Sequence, residues 1–351
     1  MLFFRTPRTL CAVACVMASA VCLVLACGDD AEINKIFCVS ANAPEYISYK
    51  VVSGNQVDFR FSTPVSVRTA HFEPDVGGVS WSDGETVSLQ FDDAHTTGKQ
   101  IIADILVADS GGNTLSLLLP FRTRNDRIPA LLITEIRTES SSSPTSKKGE
   151  FIEFKTLSAG NLGAVRVYIA RAGVEEPVYE FPPIEVEKDA YITLHIRTYP
   201  EDGAVDELGG AESFGLTASK TNAHPSARDL WTHLNVELLR MTDAIYVMDQ
   251  DDAILDAVMF YKSADEWGKN KILAKTAELL AKQGAWLGKN GGLVKTPDAG
   301  DAVPNAKATA TRTLCRDESV PDSNSHKDWY ITDTSCATPG APNNPKRFVP
   351  K

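Results

Sequence analysis

Between Tyr46 and Arg124 the chain repeats one pattern seven times: a short run rich in β-branched and aromatic residues, then a turn signal. The runs occupy residues 47–52, 56–61, 65–72, 79–81, 86–91, 101–108 and 114–122. Ser53-Gly54-Asn55, Ser82-Asp83-Gly84 and Asp109-Ser110-Gly111-Gly112-Asn113 punctuate them. β-branched and aromatic side chains suit a pleated, half-buried surface, and Gly, Asn and Asp close tight turns. Alternation in Val57-Asp58-Phe59-Arg60-Phe61 gives one buried and one wet face. The spacing predicts seven strands in a two-sheet sandwich of immunoglobulin type.

That segment also resembles bacterial Ig-like domains of cell-surface proteins. The carriers are Val57-Asp58-Phe59-Arg60-Phe61-Ser62-Thr63-Pro64-Val65, Val107-Ala108-Asp109-Ser110-Gly111-Gly112-Asn113 and Pro120-Phe121-Arg122-Thr123. The resemblance implies a spacer or adhesion module.

Upstream, Arg5 and Arg8 precede an uncharged apolar run over residues 10–26. At about 17 residues it is short for a membrane span, which needs roughly 20, and it has the three parts of a secretory signal. The junction Leu23-Val24-Leu25-Ala26-Cys27 resembles a lipobox of the looser spirochaete type. It implies cleavage before an acylated Cys27, so that residues 1–26 leave as a signal peptide and 27–42 form a tether. Acyl chains on Cys27 would anchor the protein to a bacterial membrane. Gly28 at the next position argues against inner-membrane retention under the enterobacterial sorting rule, which favours the outer membrane, with the protein periplasmic or surface-exposed.

The formal net charge is −11, and removing the leader takes away two Arg and no acid. Such a chain matches phosphate backbones poorly, which excludes nucleic acid as the expected partner. Of seven cysteines, three leave with the leader and Cys27 carries lipid. Cys315 and Cys336 lie 21 residues apart in a Gly/Pro/Ser-rich stretch. In an exported protein they predict a disulfide, worth about 3 kcal/mol on the chain-entropy model. Cys38 is then left over near the tether.

Arg124-Asn125-Asp126-Arg127-Ile128-Pro129 reads as a polar hinge, giving domains over residues 43–127 and 128–345. The second opens with Ile133-Thr134-Glu135-Ile136 and, after a Ser-rich loop at 140–146, Glu150-Phe151-Ile152-Glu153-Phe154. Asn161-Leu162-Gly163 follows, then a hairpin from Asp243-Ala244-Ile245-Tyr246-Val247-Met248-Asp249 to Ala253-Ile254-Leu255-Asp256-Ala257-Val258. Arg312, Asp328-Trp329 and Thr338-Pro339-Gly340-Ala341-Pro342-Asn343 close the segment. In this order the pieces resemble a lamin tail domain, which implies a second immunoglobulin-like sandwich and an all-β protein. Ala164 and Val165 stand where an aromatic is usual, and no Gly lies near Lys188-Asp189. The segment is also about twice the usual length, the excess falling in two insertions.

The first insertion, residues 197–234, reads as a long loop. The second, 263–305, begins with the capping pattern Ser263-Ala264-Asp265-Glu266. Ile272, Leu273, Thr276, Leu279, Leu280 and Gln283 then share one face of a helix expected over 264–283, packed on the sandwich or docking a partner.

Motifs for phosphate cradling, zinc binding and nucleophilic serine chemistry are missing, and no cofactor is implied. His71, His95, His195, His224, His233 and His326 are scattered. Glu135, Glu150 and Glu153 read as strand acids paired with basic residues such as Arg312 or left in solvent. Asp249, Asp251 and Asp252 at a hairpin tip could collect a cation, though Asp is also a common turn residue. The sequence therefore favours a non-enzymatic binding protein whose second domain contacts a protein or glycan. Trp231, Trp267 and Trp286 are its candidate contact residues, with core packing the alternative for the last two. The rival readings are a metal-assisted hydrolase of phosphoesterase or nuclease type, since lamin-tail-like domains are often fused to such enzymes, and a purely structural envelope spacer.

Overall fold

The computed structural model describes residues 43–92, 100–143, 147–217 and 223–350. The expected leader, the Cys27 junction, the tether with Cys38, and His95 lie outside the described residues, as does part of the Ser-rich loop. The chain divides into two compact units, with the boundary between Thr123 and Arg124.

The first unit contains seven strands: β1 (Tyr46–Ser53), β2 (Gln56–Phe61), β3 (Val65–Glu73), β4 (Gly78–Asp83), β5 (Thr86–Phe91), β6 (Gln100–Asp109) and β7 (Thr114–Arg122). One sheet has the order β1-β2-β5-β4 and the other β3-β6-β7, the strand order of a seven-stranded immunoglobulin-type sandwich. Alternation decides what enters the core. Val57, Phe59, Phe61, Val87 and Leu89 from one sheet meet Ile101, Ala103, Ile105 and Val107 from the other, all fully buried. Phe121 stacks on Phe91 at 5.8 Å and meets Phe59 edge-on at 6.0 Å. Gly84 carries φ +58 in the turn between β4 and β5, a left-handed conformation that glycine adopts without a Cβ penalty.

The polar stretch expected to be a hinge belongs to the second unit. Asn125 is buried, and its Nδ2 donates to the carbonyls of Asn161 and Gly163 at 2.7 and 2.8 Å. A buried amide with both donors satisfied fixes the segment rather than loosening it.

In this second unit a six-stranded sheet faces a five-stranded one. The first runs β15-β14-β9-β8-β19-β20, with β8 (Leu131–Arg137), β9 (Phe151–Thr156), β14 (Tyr191–His195), β15 (Arg228–Trp231), β19 (Leu314–Arg316) and β20 (Trp329–Ile331). The second runs β12-β11-β16-β17-β18, with β11 (Arg166–Ile169), β12 (Tyr179–Glu180), β16 (Asp243–Met248), β17 (Ile254–Tyr261) and β18 (Val303–Pro304). A two-stranded ribbon joins β10 (Gly160–Asn161) to β13 (Glu185–Val186). Ile133, Ile152 and Phe154 meet Val167, Ile245, Val258 and Phe260 in one core. The protein is thus all-β in class, and the α-helices among the described residues lie in the second insertion.

Both insertions differ from expectation. The first is not only a loop, since its Arg228-Asp229-Leu230-Trp231 adds β15 as a parallel neighbour of β14. All four residues are buried, so the insertion extends the sheet and covers its edge. The second carries two helices, α1 (Ala264–Lys269) and α2 (Lys271–Lys282), instead of one. Asn270 separates them: its backbone is extended, and its Oδ1 accepts from the amides of Ile272 and Leu273 at 3.0 Å. An Asn in that geometry starts a new helix. The buried face of α2 is Leu273, Thr276, Ala277, Leu280 and Ala281, rotated from the expected stripe.

One ion pair links the two sheets through the interior. Arg316 on β19 donates Nη2 to Asp256 Oδ2 of β17 at 2.7 Å, and the same oxygen takes the Ile133 amide at 2.6 Å. Arg316 Nε donates to the Ile133 carbonyl at 2.8 Å, and its guanidinium lies 4.8 Å from the centre of the Trp329 ring. Both side chains are buried, so removing one partner strands a charge. We expect Arg316→Met to cost about 3–5 kcal/mol at pH 8, and the double variant Arg316→Met/Asp256→Leu to recover most of it. Urea unfolding of the second unit checks this, and equal losses in both variants would refute the assignment.

A candidate binding groove beside the split helix

The split at Asn270 sets which side of α2 points where. With Leu273, Ala277 and Leu280 turned into the core, Ile272 and Leu279 flank a groove on the five-stranded sheet. Ile272 remains 46% exposed. Tyr168 of β11 and Tyr246 of β16, 6% and 3% exposed and packed into the core, are direct cross-strand partners at the base of the groove. Their rings stack at 4.9 Å with 5° between planes. Burial and the neighbouring phenol push Tyr246 up to about 12, so the floor is uncharged at neutral pH. Met248 continues the floor, and the turn from Ala172 to Glu176 supplies the opposite wall. The cavity volume is about 760 Å³, with Glu175, Glu176, Asp252 and Lys275 among its lining residues. An aromatic floor, aliphatic walls and a mostly acidic rim suit an apolar segment flanked by basic groups.

The three tryptophans expected to make contacts are core residues. Trp231, Trp267 and Trp286 are 2%, 5% and 1% exposed. Trp231 stacks on His195 at 3.7 Å because β15 brings the two into register. Trp267 joins the main core, and Trp286 donates Nε1 to the Asp301 carbonyl at 2.8 Å. Large rings bury more apolar area inside than at a loop tip, which is why they left the surface.

The hairpin-tip acids are committed elsewhere. Asp249 Oδ1 closes the turn by accepting from the amides of Asp251 and Ala253 at 2.8 and 2.9 Å. Asp251 takes both Nη groups of Arg124, and Asp252 takes Arg166 at 2.8 Å. Two guanidinium groups thus neutralise the carboxylates that a cation would need. Among the described residues no cluster of three or more His, Cys, Asp or Glu side chains is placed to hold a metal ion. His224 contacts Ser226, whereas His233 pairs with Asp206 at 2.6 Å.

Cys315 and Cys336 are free, contrary to the expected disulfide. Cys315 is fully buried on β19 beside Thr313, and Cys336 lies in the turn after Thr334, its thiol directed to the Thr334 carbonyl.

The strand acids are neither in solvent nor paired with Arg312, which instead lies over the Phe348 ring at 4.2 Å. Glu135 and Glu153 are fully buried cross-strand partners on β8 and β9. Glu135 accepts from the Thr313 hydroxyl and, at 2.9 Å, from the Thr338 amide. Glu153 accepts from the Thr134 hydroxyl at 2.6 Å and the Gly340 amide at 2.5 Å. The closing Thr338-Pro339-Gly340 is thereby fastened to the sheet. Gly340 fits because a Cβ there would stand 2.4 Å from the His224 Cβ. Burial raises both carboxyls, and the Glu135 charge raises Glu153 further.

The family TP_1001_2nd, described as a protein second domain, matches residues 129–331, more than half of the chain. The chain belongs to that family. The match covers the TP_1001 second domain from just before β8 to the end of β20, including both insertions and every element of the groove. The family is of Treponema type, which fits a spirochaete protein. No curated protein and no solved structure matches the chain.

Burial has a measurable consequence for the second unit. Glu150, whose Oε2 accepts from the amides of Leu238 and Leu239, is raised by burial to about 7. Burial likewise holds Asp243 up at about 7, and Asp256 at about 6 in spite of Arg316. Each acid keeps its proton in the folded state at a pH where the unfolded chain has released it. Stability is therefore greatest near the ordinary carboxyl pKa and falls as pH rises towards 7. We expect unfolding free energy to drop between pH 5 and pH 8, on the order of 1–3 kcal/mol per raised group. Glu150→Gln should flatten that profile. A flat wild-type profile in urea titrations would contradict it.

Proposed function

We propose that this protein is a non-enzymatic, lipid-anchored envelope protein that binds a partner protein through the groove of its second domain. The observation that carries the reading is the stacked Tyr168–Tyr246 floor, walled by Ile272 and Leu279 and lined with Glu175 and Glu176. The partner would insert an apolar segment with Lys or Arg at its flanks. The leader and the Leu23-Val24-Leu25-Ala26-Cys27 junction support lipid attachment at Cys27 and residence in the cell envelope. Strand order β1-β2-β5-β4 against β3-β6-β7 supports treating the first unit as a bacterial Ig-like spacer. The ordered agreement with lamin tail domains supports an exported interaction module for the second.

Two experiments test this. Random peptides displayed on phage and panned against the purified chain should yield apolar cores with basic flanks. Ile272→Asp should weaken the selected peptides by about tenfold or more without changing the unfolding midpoint, because Ile272 is half in solvent. Failure to enrich such sequences, equal binding by the variant, or metal-dependent turnover of a phosphodiester would overturn the reading. Separately, radiolabelled palmitate should enter the wild-type chain and not Cys27→Ser, and the variant should leave the membrane fraction.

A further inference from the structure

The first unit carries an outward sheet face that the groove does not involve. Along β2 and β5 the inward positions are Val57, Phe59, Phe61, Val87, Leu89 and Phe91. The alternate positions Asp58, Arg60, Ser88 and Gln90 therefore face outward. Register aligns them in rows across the sheet. One row runs Trp81, Ser88, Asp58, Lys50. The row on one side is Val79, Gln90, Gln56, and the row on the other is Asp83, Thr86, Arg60, Ser48.

Trp81 is 41% exposed on this face, whereas Trp231, Trp267, Trp286 and Trp329 are all nearly buried. Beneath it Ser88 is only 7% exposed although it points outward, so its cover comes from its cross-strand neighbours Trp81 and Asp58. Apart from Val79, 59% exposed, the rest of the three rows is small or polar. Its amides and carboxylate are already organised, Gln56 Nε2 donating to Asp58 Oδ1 at 3.0 Å. Lys50 and Arg60 stand against Asp58 and Asp83, and Arg60 also reaches Glu85 at 3.6 Å, so the face is close to charge-balanced, with at most one net negative charge on a chain of net −11.

These features select a ligand chemistry. A polyanion or polycation gains nothing from a charge-balanced face. A purely apolar ligand would leave the Gln, Asp and Arg side chains desolvated and unpaired. A neutral, polyhydroxylated ligand with one apolar surface satisfies both. The C–H face of a pyranose ring stacks on an indole, whose ring face is electron-rich. Its hydroxyls both donate and accept, which matches amide, carboxylate and guanidinium groups around the ring. Four strands span on the order of 14 Å, the reach of a short oligosaccharide rather than one sugar. Regular strands hold the groups rigidly, so little ordering is lost on binding.

We propose that the outward face of the β1-β2-β5-β4 sheet is a saccharide platform. A neutral β-linked oligosaccharide lies across the strands, one ring on Trp81 and its hydroxyls on Gln90, Asp58, Gln56 and Arg60. This site is independent of the groove and makes the first unit a ligand-binding domain in its own right.

Trp81 offers a direct readout, because the other tryptophans are shielded. Cellotetraose and chitotetraose are titrated into the full chain bearing Cys27→Ser while tryptophan emission is followed. A saturable shift with either sugar is expected. Trp81→Ala should abolish it and weaken calorimetric binding about tenfold or more, while Trp81→Phe keeps most of the affinity. Gln90→Ala should weaken binding with unchanged circular dichroism, and Ile272→Asp in the groove should leave it unaffected. The proposal falls if neither sugar gives a saturable shift or if Trp81→Ala binds as the wild type does. It also falls if Trp81→Ala converts a dimer to a monomer, which would make the face a contact between copies of this chain.

Discussion

The second domain depends on a guanidinium placed between its two sheets. Arg316 satisfies the Asp256 carboxylate on one sheet and the Ile133 carbonyl on the other. Trp329 covers its flat face. A pair this deep contributes little net free energy, because taking both charges from water costs about as much as their attraction returns. Its effect is on geometry: only one register of β17 against β8 and β19 lets every donor find an acceptor. Because β17 continues into α1, the same register decides where the split helix lands. The wall of the groove is thus set by a contact in the interior.

A second constraint is a pair of buried acids. Glu135 and Glu153 are hydrogen-bonded by hydroxyls and backbone amides, and the buried Arg137 guanidinium acts on Glu135 through space. Burial disfavours the charged form of such carboxyls, and their acceptor oxygens serve as anchor points for a segment that has no strand of its own. Thr338 and Gly340 are held in this way. The domain therefore ends in a strap that is fastened at two places rather than in a free tail.

Sequence reasoning read some parts well and others poorly, for physical reasons. All seven strands of the first unit were legible as β-rich runs separated by turn signals, although β4 was read as three residues and spans six. The paired strands β8, β9, β16 and β17 were legible for the same reason. Three-residue strands such as β19 and β20 carry no period and were not. Strand β15 was hidden because Arg228-Asp229-Leu230-Trp231 is buried on both sides and so does not alternate. The helical repeat of the second insertion gave the right extent but not the break, because the apolar spacing runs on across Asn270, the favoured N-cap residue that restarts the helix. Trp231 was misjudged because residue type does not report exposure, Trp267 and Trp286 took the core-packing alternative, and Trp81 sat in a recognised strand and drew no attention. The groove combines residues about a hundred apart, Tyr168 and Ile272. No local pattern joins them.

Glu135 has a further consequence for assembly of the chain. Its partners Thr313 and Thr338 lie 178 and 203 residues downstream. As the polypeptide emerges from its N-terminal end, the β8–β9 hairpin exists long before β19 can dock. During that interval the hairpin has an open edge, the kind of surface that recruits strands from other molecules. Glu135 and Glu153 are then in water and ionised, so the waiting edge bears two negative charges that repel an identical hairpin. Arrival of the C-terminal segment buries the acids and disfavours their charged forms. The residues that complete the sheet last thus guard it against aggregation beforehand, at the cost of a pH-dependent native state.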